Sequence, residues 1–230
     1  MVDILRNEGE IPGRPFVRDI FRRVRVLPGG HELPFDRVEG RIVQRELLPE
    51  LGADGRNGEG FGAFLEKYQL WSSYTPEENS VLLAYASVYG HTENAANILA
   101  VKLCERGVRV RMYDTSVTPA SYIVSDAFRC SHLVFAATTY NNGVFVTMEN
   151  LLHDLAAHNL QKRRVAVIEN GSWAPASGKL MRELLSPLKN IEFVADNITL
   201  KSALADGQDA ALDALADQIA AEIAAAKAEA

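Results

Sequence analysis

Long apolar runs and excess basic charge are both missing from this sequence of 230 residues. No stretch approaches the ~20 consecutive apolar residues of a membrane-spanning helix, and the first residues lack the basic and then apolar pattern of a signal peptide. The 24 Lys and Arg residues are outnumbered by 30 Asp and Glu, which gives a net charge of -6. Because nucleic-acid binding needs a dense basic patch, we expect no nucleic-acid partner. We also expect a cytoplasmic protein with no membrane partner.

Cysteine is scarce, and histidine is scattered. The two cysteines, Cys104 and Cys130, lie far apart and outside any CxxC motif, which gives little reason to expect a disulfide or a cysteine-bound metal. His153 and His158 are five residues apart, which differs from the i, i+4 spacing of side chains on one helix face. We therefore expect no metal site and a reducing compartment.

Residues 1–60 differ in composition from the rest of the chain. They contain ten arginines and no lysine, whereas residues 61–230 contain seven of each. Gly or Pro interrupts every apolar stretch of this region, and helices and strands rarely survive such interruptions. We predict an irregular N-terminal arm over 1–60, the alternative being a small extension packed on the main domain. A lead-in over 61–79 and the main domain over 80–230 follow.

From residue 80 onward, short apolar runs alternate with helical patterns. SVLLAYA (80–86) is nearly continuous, which is typical of a strand buried on both faces. In VRVRMY (108–113) apolar residues alternate with arginine, which is typical of an edge strand. Leu180, Leu184 and Leu188 are expected on the buried face of one helix. The predicted strands cover 80–86, 108–113, 132–137, 164–169 and 191–196, and the predicted helices 92–105, 119–129, 146–158, 179–188 and a C-terminal segment from 206 or 207.

Five strands alternating with five helices predict an α/β fold, with a five-stranded parallel sheet covered by helices on both faces. An exposed second strand beside a buried first strand fits the strand order 2-1-3-4-5. In that order the switch point lies between strands 1 and 3, and ligands bind there, at the carboxyl ends of the strands. We therefore expect the chemistry of the chain just after residues 86 and 137.

The loop after the first strand reads SVYGHTE (87–93) and leads directly into a helix. Ser87, Tyr89 and Thr92 supply hydroxyls, and Gly90 permits a tight turn. Exposed N–H groups at a helix N-terminus attract anions, so the loop predicts a phosphate site without Lys or Arg. The GxxxxGK[ST] and GxGxxG motifs are absent, which argues against a triphosphate loop or a dinucleotide fingerprint. The alternative is a capped helix start with Thr92 as the N-cap.

Two further loops follow the third and fourth strands. TTYNNG (138–143) contains Asn-Asn-Gly, which tolerates positive φ and forms a tight loop, and its N–H groups and amides suit the polar edge of a flavin ring. ENGSWAP (169–175) contains Trp173, an aromatic side chain that can cover one face of a planar ligand. For either loop alone an ordinary polar turn is the alternative, but all three loops converge on one switch point.

These segments resemble the C-terminal flavodoxin-like domain of the flavodiiron proteins, also called A-type flavoproteins. The matching segments are FLEKYQLWSSYTPEE, SVYGHTENAA, TTYNNGVF and ENGSWAP, in that order within residues 61–225. Tyr89 stands where the phosphate loop of flavodoxins has a second Ser or Thr. The resemblance implies a flavodoxin-like fold with bound FMN. The residues that it assigns to FMN are Ser87, Val88, Tyr89, Gly90, His91, Thr92, Thr138, Thr139, Tyr140, Asn141, Asn142, Gly143, Asn170, Gly171, Ser172 and Trp173.

A feature of the flavodiiron proteins is missing from this sequence. In the family, a metallo-β-lactamase-like domain precedes the flavodoxin-like one and binds two irons through a His-x-Glu-x-Asp-His cluster and more distant His and Asp residues. No such cluster occurs here, and only His31 precedes residue 61. We therefore expect no di-iron site, and interpret residues 1–60 as the result of a truncated or rearranged flavodiiron gene.

Electron transfer through FMN is the leading functional hypothesis, because the flavin supplies the redox chemistry and no catalytic acid, base or nucleophile is needed. The resemblance implies a redox partner, with a rubredoxin-like protein or a reductase as donor. The chain would then serve as a stand-alone shuttle or deliver electrons to a separate di-iron subunit. It also implies a homodimer. The alternatives are a flavin-dependent NAD(P)H oxidoreductase of flavodoxin fold and a non-catalytic remnant or interaction module.

Overall fold

The computed structural model describes residues 61–205 and 207–228 of the chain. The irregular arm predicted for residues 1–60 lies outside the described residues. The predicted lead-in contains helix α1 (Phe61–Ser72), and strand β1 (Glu78–Ala86) begins at its end.

Strands and helices alternate from β1 onward, as the sequence predicts, except that β4 directly follows β3 and β7 directly follows β6. No helix among the described residues is both long enough and apolar enough to cross a membrane. The remaining strands are β2 (Val110–Asp114), β3 (Cys130–Tyr140), β4 (Gly143–Val144), β5 (Arg163–Asn170), β6 (Ile191–Phe193) and β7 (Ile198–Leu200). The remaining helices are α2 (His91–Glu105), α3 (Ala120–Arg129), α4 (Val146–Ala157), α5 (Ser177–Leu185) and α6 (Gln208–Ala228).

The main sheet is parallel and has the order β2-β1-β3-β5-β6, which confirms the predicted order 2-1-3-4-5. Strand β1 pairs with β2 through Leu83 and Met112, and with β3 through Leu83 and Val134. Every residue of β2 is half-buried, as expected of an edge strand. The chain crosses to the other side of β1 after β2, so the switch point lies between β1 and β3.

The far edge of the sheet is interrupted, which differs from the single strand predicted over 191–196. Strand β6 pairs with the beginning of β5, and β7 pairs with its end. Between them the chain leaves the sheet, and there Arg182 of α5 donates hydrogen bonds to the Ala195 carbonyl and the Asn197 side chain. The same guanidinium lies 4.2 Å from the centre of the Phe193 ring, so one side chain of α5 holds the interruption on both sides.

Helices cover both faces of the sheet, and each face has its own apolar core. Helices α3, α4 and α5 pack on one face through side chains that include Ile123, Leu151 and Met181. Helices α2 and α6 pack on the other face through side chains that include Leu99 and Ile219. The last seven residues of β1 are buried because their side chains alternate between these two cores, which explains the continuous apolar run in the sequence.

The buried face of α5 is not the predicted one. Leu180 and Leu184 of α5 pack against the core but are only partly buried, and Leu188 of the predicted helix lies beyond the end of α5 and is also only partly buried. The helix approaches the sheet through Gly178, where a Cβ atom would lie 2.8 Å from Oε2 of Glu169 on β5. The buried face of α5 is therefore centred on Gly178 rather than on the leucines. The buried residues of α5 are Ser177, Gly178, Met181 and Leu185.

A buried arginine fastens the lead-in to the sheet. Arg163 is 1% exposed, and its guanidinium donates to the carbonyls of Tyr74 (2.7 Å), Ala127 (3.0 Å) and Phe128 (2.6 Å). It also donates to the carbonyls of residues 161 and 162. Burial lowers the pKa of Arg163 to about 10, which still leaves the group charged at neutral pH. The guanidinium therefore joins the lead-in, the end of α3 and the start of β5.

Candidate functional site

A pocket of about 360 Å³ lies at the carboxyl ends of β1, β3 and β5, at the switch point of the sheet. Of the sixteen residues predicted for the site, all but Gly90, Tyr140 and Gly143 line it. Ala174 and Ser202 also line it and were not predicted. The predicted residues in the lining are Ser87, Val88, Tyr89, His91, Thr92, Thr138, Thr139, Asn141, Asn142, Asn170, Gly171, Ser172 and Trp173.

The first wall is the turn between β1 and α2. Gly90 occupies the N-cap position with a φ of 83°, in the left-handed region that glycine adopts readily. Its N–H donates to Oγ of Ser87 at 3.0 Å, which closes the turn. The N-cap is therefore Gly90, and the alternative of Thr92 as N-cap is wrong.

The start of α2 presents backbone donors. Its first intrahelical hydrogen bond runs from the N–H of Asn94 to the carbonyl of Gly90. The N–H groups of His91, Thr92 and Glu93 come before this bond, and such groups have no acceptor within a helix. His91 and Thr92 also line the pocket, so this end of α2 combines unpaired N–H groups with the positive end of the helix dipole.

Hydroxyl and amide groups join the floor of the pocket. Thr92 is 1% exposed, and its hydroxyl lies 2.9 Å from the hydroxyl of Thr138 on β3. Asn170 at the end of β5 is 5% exposed and donates to Oγ1 of Thr92 at 3.2 Å. The helix start and the ends of two strands are thereby held together by short polar contacts.

The second wall is a two-residue hairpin between β3 and β4. Tyr140 pairs with Gly143, and the two residues between them, Asn141 and Asn142, have φ values of 50° and 58°. Two successive positive φ values are typical of a type I′ turn, and they confirm the predicted tight loop. The Tyr140 ring packs edge-on against Phe145, with centres 5.7 Å apart, which accounts for its absence from the pocket lining.

The third wall is the loop from β5 to α5. Oγ1 of Thr139 accepts hydrogen bonds from the N–H groups of Ala176 (3.0 Å) and Ser177 (3.1 Å). These bonds fix the end of the loop against β3. Trp173 in the middle of the loop is fully exposed, and its predicted role in covering a planar ligand stays a prediction.

Within the part of the chain that the structure describes, the residues lining the pocket include no Lys, Arg, Asp or Glu. The carboxylate nearest in sequence to the first wall, Glu93, accepts a hydrogen bond from the hydroxyl of Tyr85 at 3.3 Å. Burial, and then the charge of Glu93, raise the pKa of Tyr85 to about 12. The described lining residues would therefore bind an anion through hydroxyls, amides and backbone N–H groups.

Among the residues that the structure describes, no group of three or more His, Cys, Asp or Glu side chains is placed to hold a metal ion. His132 is buried, with one ring nitrogen 2.9 Å from the Ser131 hydroxyl and the other 3.2 Å from the Glu222 carboxylate. Cys104 and Cys130 are both free thiols.

Ser202 was not predicted as a site residue because it follows β7, the half of the edge strand that the sequence pattern does not indicate. The rule that ligands bind beyond the carboxyl ends of strands would have included it if β7 had been recognised. Ala174 has no side-chain chemistry that distinguishes it in the sequence.

No protein-family model matches the chain. Rubredoxin-oxygen oxidoreductase of Megalodesulfovibrio gigas is 22% identical over 149 residues, which cover 65% of this chain and 37% of the relative. Nitric oxide reductase of Moorella thermoacetica is 24% identical over 135 residues, which cover 59% of this chain and 33% of the relative. The chain thus spans about a third of the length of these curated relatives.

Solved structures show the same fold. The rubredoxin oxygen:oxidoreductase of Desulfovibrio gigas matches with a TM-score of 0.65 at 22% identity, over 70% of this chain and 39% of that protein. A flavodoxin from the Archaea matches with a TM-score of 0.55 at 15% identity, over 63% of this chain and 98% of that protein. From β1 to α6 the chain is therefore a flavodoxin-like domain, similar to the one in flavodiiron proteins.

Proposed function

We propose that this chain binds FMN in the pocket at the switch point and transfers electrons through it between partner proteins. The observation that carries the proposal is the convergence of three strand-end loops on one pocket of a flavodoxin-like sheet. Each loop alone is an ordinary turn, whereas the three together form a site with separate groups for a phosphate and for a planar ring.

The groups at the start of α2 fit the phosphate of FMN. An anion at a helix N-terminus is stabilised by unpaired N–H groups and by the helix dipole, and here His91 and Thr92 begin the helix in the pocket lining. The hydroxyl of Ser87 also lines the pocket, although its oxygen already accepts one hydrogen bond from Gly90. These residues would hold the phosphate without a Lys or Arg side chain.

The other two walls fit the flavin ring. The amides of Asn141 and Asn142 stand on the hairpin, whose geometry is fixed by two positive φ values. Gly171, Ser172 and Trp173 of the third wall also line the pocket. When bound, FMN supplies the redox chemistry, and these residues set its position and surroundings. No protein residue is required as acid, base or nucleophile.

The partners are proposed from the relatives and from the surface around the pocket. Tyr89 and Trp173 are 87% and 100% exposed beside the pocket, and aromatic side chains are enriched in protein interfaces. We propose a rubredoxin-like protein or a reductase as electron donor, and a separate di-iron subunit as acceptor. The name of one relative, rubredoxin-oxygen oxidoreductase, supports the rubredoxin-like donor.

The test is an absorbance spectrum of the purified protein, with iron measured on the same sample. We expect a flavin spectrum near one FMN per chain, or its appearance after FMN is added, and no stoichiometric iron. A protein that stays colourless with excess FMN would overturn the proposal. Rapid bleaching of the flavin by NADPH alone would indicate an NAD(P)H oxidoreductase instead of a protein that transfers electrons between partner proteins.

A further inference from the structure

A fourth turn reaches the pocket from the interrupted edge of the sheet. Directly after β7, Lys201 and Ala203 form an antiparallel bridge around Ser202. Ser202 lines the pocket and has a φ of 74°. This left-handed conformation is unfavourable for residues other than glycine, so the surrounding structure must hold the turn in place.

The side chain of Asn170 supplies that hold. Its Nδ2 donates to the Ser202 carbonyl at 2.9 Å, and its Oδ1 accepts from the Ser202 N–H at 2.9 Å. The backbone of one residue is thus bound on both sides by a single amide. The N–H of Gly171 adds a bond to the Leu200 carbonyl at 3.0 Å, which keeps the strand before the turn against the end of β5.

The hydrogen-bonding capacity of Asn170 is largely used within the protein. The two N–H groups of its amide go to Oγ1 of Thr92 and to the carbonyl of Ser202. At 5% exposure the side chain has no donor left for a ligand. Its three bonds instead connect the start of α2, the end of β5 and the turn after β7.

We propose that the turn 201–203 is a fourth wall of the flavin site, and that Asn170 is a positioning residue that fixes this wall against the start of α2. The inference rests on the proposed function, because it assumes that the pocket holds FMN. It changes the role of Asn170 from a contact of the flavin to a support for Ser202 and Thr92.

The test compares four proteins: wild type, Asn170→Ala, the double variant Asn170→Ala/Ser202→Gly, and Asn159→Ala. Kd for FMN is measured by quenching of flavin fluorescence. Asn170→Ala should bind FMN about tenfold more weakly, because three hydrogen bonds that arrange the pocket are lost. The double variant should recover about threefold of this loss, since glycine adopts a positive φ without the side chain that supports Ser202.

Asn159→Ala is the matched control for general destabilisation. Asn159 also has a positive φ, 55°, and donates one hydrogen bond, to the Tyr74 hydroxyl at 3.3 Å. It precedes β5, at the end of the strand opposite the pocket. This variant should lower Tm and leave Kd for FMN unchanged, which separates a loss of stability from a loss of positioning.

Unchanged Kd in Asn170→Ala, or no recovery in the double variant, would overturn the proposal. Hydrogen exchange of the residue 202 amide, measured without FMN, tests separately whether Asn170 holds the turn. The exchange should be faster in Asn170→Ala, while the amides of the β5 core stay protected. Equal exchange in wild type and Asn170→Ala would also overturn it. If wild type itself binds no FMN, the proposed function and the flavin wall both fail, and the exchange result still decides what holds the turn.

Discussion

Replacing Gly90 by alanine isolates the contribution of one backbone conformation to ligand binding. Gly90 has a φ of 83°, and a Cβ atom there would meet nothing within 4 Å, so the substitution introduces no clash. Its cost is the penalty for an L-residue in the left-handed region, about 1–2 kcal/mol. The free Gly90→Ala protein can relieve this strain by relaxing the turn. FMN binding requires the original turn, so the free energy of the strain is then subtracted from the free energy of binding. We therefore expect Kd for FMN to rise about fivefold to tenfold.

Gly107 provides the matched control at the other end of α2. It has a φ of 74°, with the same open space around its Cβ position, and lies outside the pocket lining. Gly107→Ala should therefore lower the free energy of unfolding by the same ~1–2 kcal/mol and leave Kd for FMN unchanged. Fluorescence titration and urea unfolding of both variants are the assays. Equal effects of the two variants on Kd, or none from Gly90→Ala, would refute the reasoning.

Two further predictions concern stability. Arg163→Met removes the donor to five backbone carbonyls and should lower the free energy of unfolding by about 3 kcal/mol or more; a loss below ~1 kcal/mol in urea unfolding would contradict the described packing. The pKa of Tyr85 is raised from 10.0 to about 12, by burial and then by Glu93. The unfolded chain thus loses this proton before the folded one, so stability should fall as pH rises from 10 to 12. Tyr85→Phe should flatten that decline, and superimposable pH profiles would contradict the assignment.

The fold was predictable from the sequence where burial leaves a regular pattern. Strand β1 is buried on both faces, whereas every residue of β2 is only partly buried, so β1 appears in the sequence as a continuous apolar run and β2 as an alternating one. This contrast identified the edge strand, hence the strand order and the switch point. The site followed because Gly90 and the Asn141-Asn142 pair occupy positive-φ positions that their residue types signal locally.

The features that were missed depend on contacts between distant parts of the chain. Arg182, on the helix before the edge strand, bonds to the chain where that strand is interrupted. The sequence of residues 191–196 does not indicate this contact. Strand β7 has three residues and β4 has two, too few for a period to emerge. Ser202 was overlooked for the same reason. The face of α5 was misjudged because the close approach at Gly178 outweighs the spacing of three leucines.

The bond from Arg163 to the Tyr74 carbonyl determines where this chain can be shortened. A fragment that starts at Ser80 looks complete by its sequence pattern, yet it would lack one acceptor of a guanidinium that is buried at the start of β5. It would also lose the Ser73 carbonyl, which accepts from the Lys162 ammonium at 2.9 Å. Fragments for crystallisation, domain fusion or circular permutation should therefore begin before Ser73, so that the segment ahead of the first strand is kept as part of the folding unit.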